Sequence, residues 1–262
     1  MPSDAGTPVL TPDPAIAQGL VPPPARVEGL ALFLDMDGVL APLAPTPDAV
    51  GPDARRTALL HRLNARLHGR LAILSGRTLD EIDRISGLDT LSASGVHGLE
   101  RRRRDGSMDT RGASPEVRTA VDALSAFAAD HPGVLIEDKG VAAGLHYRQS
   151  PQSQGAAERL VQSIADATGL TIQPGHMVLE LKTPGSDKGT ALTAFMTEAP
   201  FQGGVPVMLG DDLTDEYGFE AAEALGGFGV LVGPARPSAA RYRLDDVDAV
   251  LDWLDTVAES AR

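Results

Sequence analysis

The stretch Leu30-Ala31-Leu32-Phe33-Leu34-Asp35-Met36-Asp37-Gly38-Val39-Leu40 decides how this chain is read. Five apolar residues in a row describe a strand buried on both faces, as in a parallel sheet covered by helices, and the run stops at two carboxylates and a glycine. Open α/β sheets bind ligands outside the carboxyl ends of their strands, so Asp35 and Asp37 stand where a site belongs. One residue apart at a strand end, they are close enough to share one cation and one reacting group, and Gly38 lets the chain turn beneath them. Taken alone, an acid-glycine pair also marks a plain turn, and short motifs have many chance matches.

The chain on either side repeats the pattern. Asp53 to His68 places Leu59, Leu60, Leu63 and Leu67 on one helix face. Leu71-Ala72-Ile73-Leu74 is a second short apolar strand, ending in Ser75-Gly76-Arg77. Thr78 with Glu81 is a capping box, and Ile82 and Ile85 face the helix it starts inward. Much later, Lys188 follows Pro184-Gly185-Ser186-Asp187 and opens a helix carrying Leu192, Phe195 and Met196. Its cation there opposes the helix dipole, which a mere surface lysine has no reason to do. Val205 to Leu209 is a third strand ending in acids, Gly210-Asp211-Asp212-Leu213-Thr214-Asp215-Glu216. A further strand between Gly229 and Gly233 and an amphipathic helix with Val247, Val250, Leu251 and Leu254 close the chain.

Between about residues 101 and 184 the rhythm changes. Ser114-Pro115 starts a helix with Val117, Val121, Leu124 and Phe127 on one side, and Ala157, Leu160, Val161 and Ile164 mark another. Strand-like pieces lie at Val134 to Lys139, Val141 to Arg148 and Met177 to Lys182. Two helices on a small antiparallel sheet make a separate α+β module. The expected fold is thus α/β: a doubly wound, mostly parallel Rossmann-like sheet from residues 25–100 and 185–262, with an α+β cap inserted at 101–184. Residues 1–24, rich in proline and poor in apolar side chains, read as a disordered tail without the pattern of a signal peptide.

Composition excludes several classes. The chain of 262 residues is 42% hydrophobic, has no cysteine and carries a formal charge of −13. No apolar run approaches the roughly 20 residues of a membrane helix. The absence of cysteine removes thiolate catalysis and thiolate zinc sites and agrees with a reducing cytoplasm. The acidic balance argues against nucleic acid and anionic membranes as partners. Arg101 to Arg104, followed by Asp105-Gly106, reads as a solvated strand end at a hairpin turn.

Asp35, Asp37, Asp211, Asp212 and Asp215 would crowd one sheet edge, and that many carboxylates cannot all stay ionised without a cation. Oxygen-only ligands favour magnesium, which joins one or two carboxylates to a substrate phosphate. Histidines 61, 68, 97, 131, 146 and 176 form no helical pair at metal-ligand spacing, so zinc is not expected. Ser75 and Lys188 supply what a phosphoryl group needs, a hydroxyl donor and a positive charge.

Asp35-Met36-Asp37-Gly38, Ser75-Gly76-Arg77, Lys188 and Gly210-Asp211-Asp212 resemble the four ordered motifs of the haloacid-dehalogenase-like phosphatases. Gly95-Val96-His97-Gly98, Glu137-Asp138-Lys139-Gly140, His146-Tyr147-Arg148, Val178-Leu179-Glu180 and Gly210 through Glu216 resemble blocks of the bacterial trehalose-6-phosphate phosphatase family. Val39 departs from the threonine common at that place and removes one hydroxyl. The resemblance implies Asp35 as nucleophile, Asp37 as general acid and base, and Ser75 and Lys188 as binders of the transferring oxygens. It implies magnesium held by Asp35, the Asp37 main-chain carbonyl and Asp211, with Asp215 nearby. It implies a sugar phosphate as substrate, contacted by Gly38, Arg77 and Gly98 and, from the cap, by Glu137, Lys139 and Glu180, each of which alone could be a solvated strand residue. His97 and Arg148 could bind substrate or serve packing within the fold.

A dinucleotide-binding oxidoreductase would need a glycine-rich turn where the aspartates stand. A phospho-accepting receiver domain, by what is known of that family, has its acceptor on a middle strand and no insertion. A related capped phosphatase acting on another sugar phosphate stays open. The expected molecule is a cytoplasmic, magnesium-dependent phosphomonoester hydrolase acting as a monomer.

Overall fold

The computed structural model of the chain describes residues 20–44, 49–110, 114–175 and 177–260. Most of the proline-rich segment, residues 1–19, lies outside them, as does His176. Leu30–Leu34 forms β1, with all five residues buried. It lies between β2 (Leu71–Leu74) and β10 (Val205–Gly210), parallel to both. Beyond β10 come β11 (Phe228–Val232) and β12 (Tyr242–Leu244), also parallel. Beyond β2 comes β3 (Ser92–Gly95), followed by the antiparallel hairpin of β4 (Glu100–Arg102) and β5 (Met108–Thr110). The eight strands run in the order β12-β11-β10-β1-β2-β3-β4-β5. The chain leaves β1 toward β2 and later returns to β10 on the other side, which opens a crevice at the carboxyl end of β1.

Alternation along β1 builds the two layers. Leu30, Leu32 and Leu34 pack with Leu59 and Leu63 of α1 (Ala54–Arg66), Ile82 of α2 (Leu79–Ser86) and Leu254 of α7 (Val247–Ser260). Ala31 and Phe33 face α5 (Lys188–Met196) and α6 (Glu216–Ala224), where Phe33 meets Phe195, Phe201 and Phe219. The Phe33 and Phe201 rings stack with centroids 5.2 Å apart. Local signals agree with these helices. Asp53 caps α1 by accepting from Arg56 N at 2.8 Å, and Thr78 and Glu81 make both bonds of the capping box at α2.

The insertion is a second layer pair. Helices α3 (Pro115–Asp130) and α4 (Gln154–Thr168) cover one face of a four-stranded antiparallel sheet. That sheet contains β6 (Leu135–Asp138), β7 (Ala142–His146), β8 (Thr171–Gly175) and β9 (Val178–Lys182), ordered β6-β7-β9-β8. Its apolar core includes Val117, Leu124, Leu145, Val161 and Leu181. Glu137, Gly144, Glu180 and Gln173 stand in one row across the strands. Lys139 Nζ, just beyond β6, reaches Gly76 O of the larger domain at 2.8 Å, so the open face of the small sheet looks onto the crevice.

Three expectations change. Only the far half of the arginine run is the expected solvated strand end: Arg104 is exposed at the hairpin turn, but Arg101 and Arg102 are buried, because β4 pairs with β3 and carries their side chains against acceptors. Arg101 binds Glu198 at 3.0 and 3.1 Å, Arg102 forks onto Asp83 at 2.6 Å, and Arg103 joins Glu198 at 2.7 Å. The same pairing puts residues 100–110 in the larger sheet, although the sequence suggests the insertion begins at 101. The last residues of the supposed tail are also docked. Arg243 N donates to Val21 O at 3.1 Å, and the Trp253 indole donates to Pro23 O at 3.2 Å, with Pro23 buried.

Candidate active site

The carboxyl ends of three adjacent strands deliver the polar groups. Asp35 and Asp37 follow β1, Ser75 follows β2, and Asp211, Asp212 and Asp215 follow β10. Gly38 is required twice over: its φ is +74°, and a Cβ there would lie 2.2 Å from Asp211 Oδ2. Gly210 is as constrained by space, since its Cβ would fall 2.2 Å from the Asp215 carboxyl carbon. The acids of β1 and β10 therefore meet directly.

Lys188 occupies the first turn of α5 and is buried. Its Nζ lies 2.6 Å from Asp215 Oδ1 and 3.0 Å from Asp35 Oδ2. Met36 N donates to the other Asp35 oxygen at 2.7 Å, so that carboxylate is oriented at both ends. Asp215 Oδ2 accepts from the main-chain N–H groups of Asp211 and Asp212, at 2.9 and 3.1 Å. Ser75 is buried, and its Oγ accepts from Arg77 N at 3.2 Å.

The electrostatics are unbalanced. Burial, reinforced by Asp215, Asp211 and Asp212 and opposed by Lys188, raises Asp35 well above the carboxylate range. Burial and the neighbouring Asp215 and Asp212 push Asp211 up to about 7. Burial likewise raises Asp215. Burial works against the charge of Lys188 too, but Asp215 and Asp35 hold it protonated and raise it. Asp212 differs: against burial, Lys188 and bonds from Thr214 lower it. Ligand oxygens of Asp35, Asp211 and Asp215 lie within 4.8 Å of one another, the one such group among the described residues. Three carboxylates, two of them bonded to the Lys188 ammonium, make an all-oxygen donor set that fits a hard divalent cation.

Asp37 and Arg77 stand together. The Arg77 guanidinium forks onto both Asp37 oxygens at 2.7 and 2.8 Å and reaches Glu81 at 3.1 Å. Any contact of Arg77 with substrate would exchange these bonds. From the insertion, Glu180 lies 3.3 Å from His97 Nε2 and 3.3 Å from Lys139 Nζ, and Glu137 pairs with His146 at 2.8 Å. Lys139 and His97 draw Glu180 down to about 2 despite its burial. Burial lowers His97 in spite of Glu180. His97 and the preceding Val96 both have positive φ, 51° and 45°, a left-handed pair that turns the imidazole toward the insertion. Buried polar atoms without a hydrogen-bond partner include His97 Nδ1 and Glu180 Oε1, both at this junction. Gly98 lies against the main chain of Asp187, and Arg148 donates to Ala44 O at 3.1 Å, tying the insertion to the loop after β1. The pairing of His146 with Glu137 had no signal in the sequence, because it forms across two strands whose register only the fold sets.

A doubly wound sheet with an inserted α+β module and this arrangement of acids, hydroxyl and lysine defines a haloacid-dehalogenase-like phosphatase. A phosphatase of that superfamily from Bacteroides thetaiotaomicron shares the fold, with a TM-score of 0.61 at 19% identity over 90% of this chain and 96% of its own. The trehalose-phosphatase family profile matches residues 33–248. The chain is 39% identical over 229 residues to a trehalose-6-phosphate phosphatase of Escherichia coli, covering 87% of this chain and 86% of the relative. A solved trehalose-6-phosphate phosphatase related protein superposes with a TM-score of 0.75 at 26% identity, covering 88% and 97% of the two chains. The chain belongs to the trehalose-phosphatase family.

Proposed function

We propose that the protein hydrolyses trehalose 6-phosphate to trehalose and phosphate through an aspartyl-phosphate. The observation that carries this reading is the meeting of two chemistries at one crevice: the acids, Ser75 and Lys188 on the sheet edge, and the hydrogen-bonding face of Glu137, Lys139 and Glu180 opposite. His97 Nδ1, buried without a hydrogen-bond partner, and Glu180 Oε1, held only by its ion pair with Lys139, suit a ligand rich in hydroxyls.

Asp35 acts as nucleophile. One of its oxygens attacks phosphorus as the bond to the sugar oxygen breaks, and Asp37 gives that oxygen a proton. Water then attacks phosphorus, Asp37 takes a proton back, and phosphate leaves as Asp35 is regenerated. For both steps Asp37 must separate from the Arg77 fork that holds its two oxygens. Ser75 and Lys188 bind the transferring oxygens, where phosphoryl transfer depends on positioning and neutralised charge. Asp35, Asp211, Asp215 and the Asp37 carbonyl would hold magnesium, which supplies charge neutralisation at the phosphate when bound. The insertion acts as a cap, with Glu137, Lys139 and Glu180 reading sugar hydroxyls and the phosphate remaining on the core.

Phosphate release from a panel of sugar phosphates, with and without magnesium, tests the reading. The expected outcome is magnesium-dependent hydrolysis with trehalose 6-phosphate preferred. Preference for a different sugar phosphate would reassign the substrate, and equal rates in excess chelator would remove the metal.

A further inference from the structure

The loop that carries Asp211 and Asp215 is held from outside by groups that no step of the chemistry uses. After β11 the chain turns through Gly233 to Pro237, and Arg236 points back over that loop. Its Nη2 donates to Asp212 O at 2.7 Å and to Asp211 O at 3.4 Å. Its Nη1 pairs with Glu216 and also donates to Pro237 O at 3.1 Å. Glu216, the first residue of α6, accepts in turn from Ser238 Oγ at 3.1 Å and Ala239 N at 2.8 Å. Both ends of the segment Asp211 to Glu216 are thus tied to residues 236–239.

That segment needs such a restraint. Asp211, Asp212 and Asp215 repel one another and Asp35, and the bonds from Asp211 N and Asp212 N to Asp215 only link the loop to itself. Arg236 binds the carbonyl side of the two peptides after β10, leaving the carboxylates turned to the crevice. Its guanidinium also places positive charge behind the acid cluster without touching any carboxylate in it.

We propose that Arg236, braced by Glu216, is a positioning residue that sets the spacing of Asp211 and Asp215 for the divalent cation. The inference rests on the magnesium reading above. Partners that orient metal ligands typically contribute about 10- to 100-fold in metal affinity. The test follows the thermal unfolding midpoint of the full chain against Mg2+ concentration, without substrate, for the parent chain, Arg236→Ala and Glu216→Gln. Arg236→Ala should need roughly 10- to 100-fold more Mg2+ for half of the full shift, and Glu216→Gln a smaller excess. Midpoints in excess chelator should stay close to the parent's. At saturating Mg2+, KM for the sugar phosphate should be unchanged. Parent-like Mg2+ dependence in both variants overturns the proposal. So does a weaker Mg2+ response matched in each variant by an equal fall of the metal-free midpoint, which would make the bonds merely structural. A parent chain whose midpoint ignores Mg2+ would instead overturn the metal reading.

Discussion

The two surfaces that meet at the crevice treat charge in opposite ways. On the core side, burial and mutual repulsion raise Asp35, Asp211 and Asp215, with Lys188 the one cation between Asp35 and Asp215 among the described residues. On the cap side, Lys139 and His97 bring Glu180 down to about 2, and His146 and Lys139 lower Glu137, each against the effect of burial. The core site is short of positive charge until a cation or a protonated group completes it. The charges of the cap face are paired with Lys139, His146 and the core residue His97, so on the proposed reading sugar would exchange those pairs and also meet His97 Nδ1, which has no hydrogen-bond partner. On the proposed reading, catalytic charge would lie on the sheet edge, while recognition would be built from bonds that can be traded.

The largest test of that contrast is on the core. Asp35→Asn removes the attacking anion and should reduce turnover by about 10⁴-fold or more, whereas Asp37→Asn should lose about 10²- to 10⁴-fold. Phosphate-release assays measure both, and appreciable magnesium-dependent turnover in Asp35→Asn would displace it as nucleophile. Lys188→Met leaves Asp35 and Asp215 without their ammonium and should cost about 3–5 kcal/mol in urea unfolding without metal. An unchanged unfolding midpoint would show that the pair is not the core's electrostatic keystone.

Next in size is the cap. Glu180→Ala or Glu137→Ala removes charged hydrogen bonds of about 1.5–3 kcal/mol each, a ten- to hundredfold loss in kcat/KM on trehalose 6-phosphate. An aryl phosphate too small to reach the cap should be cleaved nearly as before. Equal losses on the two substrates would mean that the cap residues support the metal site instead of reading sugar.

A pH series separates the two surfaces by sign. The folded value of Asp211, about 7, lies above its ordinary 3.8, so the folded chain holds the extra proton in that interval and loses stability as pH rises through it. Glu180 runs the other way: lowered from 4.5 to about 2, it adds stability above its ordinary value that is lost as pH falls through about 2. Without metal, the unfolding midpoint should fall between about pH 5 and about pH 8, and Mg2+ should raise it more at the higher pH. A Mg2+ shift independent of pH would contradict the core assignment.

The smallest expected effect lies at the amino end. A chain beginning at Val27 loses the bonds from Arg243 N to Val21 O and from Trp253 to Pro23 O, about 0.5–1.5 kcal/mol each, with kcat/KM unchanged.

What could be read in advance follows from how each segment is stabilised. The strand Leu30–Leu34 and its acids, the capping box at Thr78 and the lysine opening α5 carry local signatures, so the fold class and the acid cluster were legible. Ser92–Gly95, a central strand of sequence Ser-Ala-Ser-Gly, has no apolar signature, because its place between β2 and β4 is set by pairing alone. Thr171–Gly175 and Tyr242–Leu244 are equally silent, being short edge strands. The arginine run misleads because the partners of Arg101 and Arg103 at Glu198 are nearly a hundred residues away along the chain, at separations of 97 and 95. Arg77 was legible as a motif residue, but its fork onto Asp37 required the meeting of two strand ends.

The bonds among Lys139, Glu180 and His97 also bear on how product leaves. Trehalose without its phosphate would compete for the same cap groups against partners already in place, and it would have no anion to engage Ser75 and Lys188. On the proposed reading, the sugar would be displaced as Lys139, Glu180 and His97 return to one another. Trehalose should therefore be a weak inhibitor even at concentrations far above those of its phosphate ester, and its accumulation would not slow the reaction that forms it.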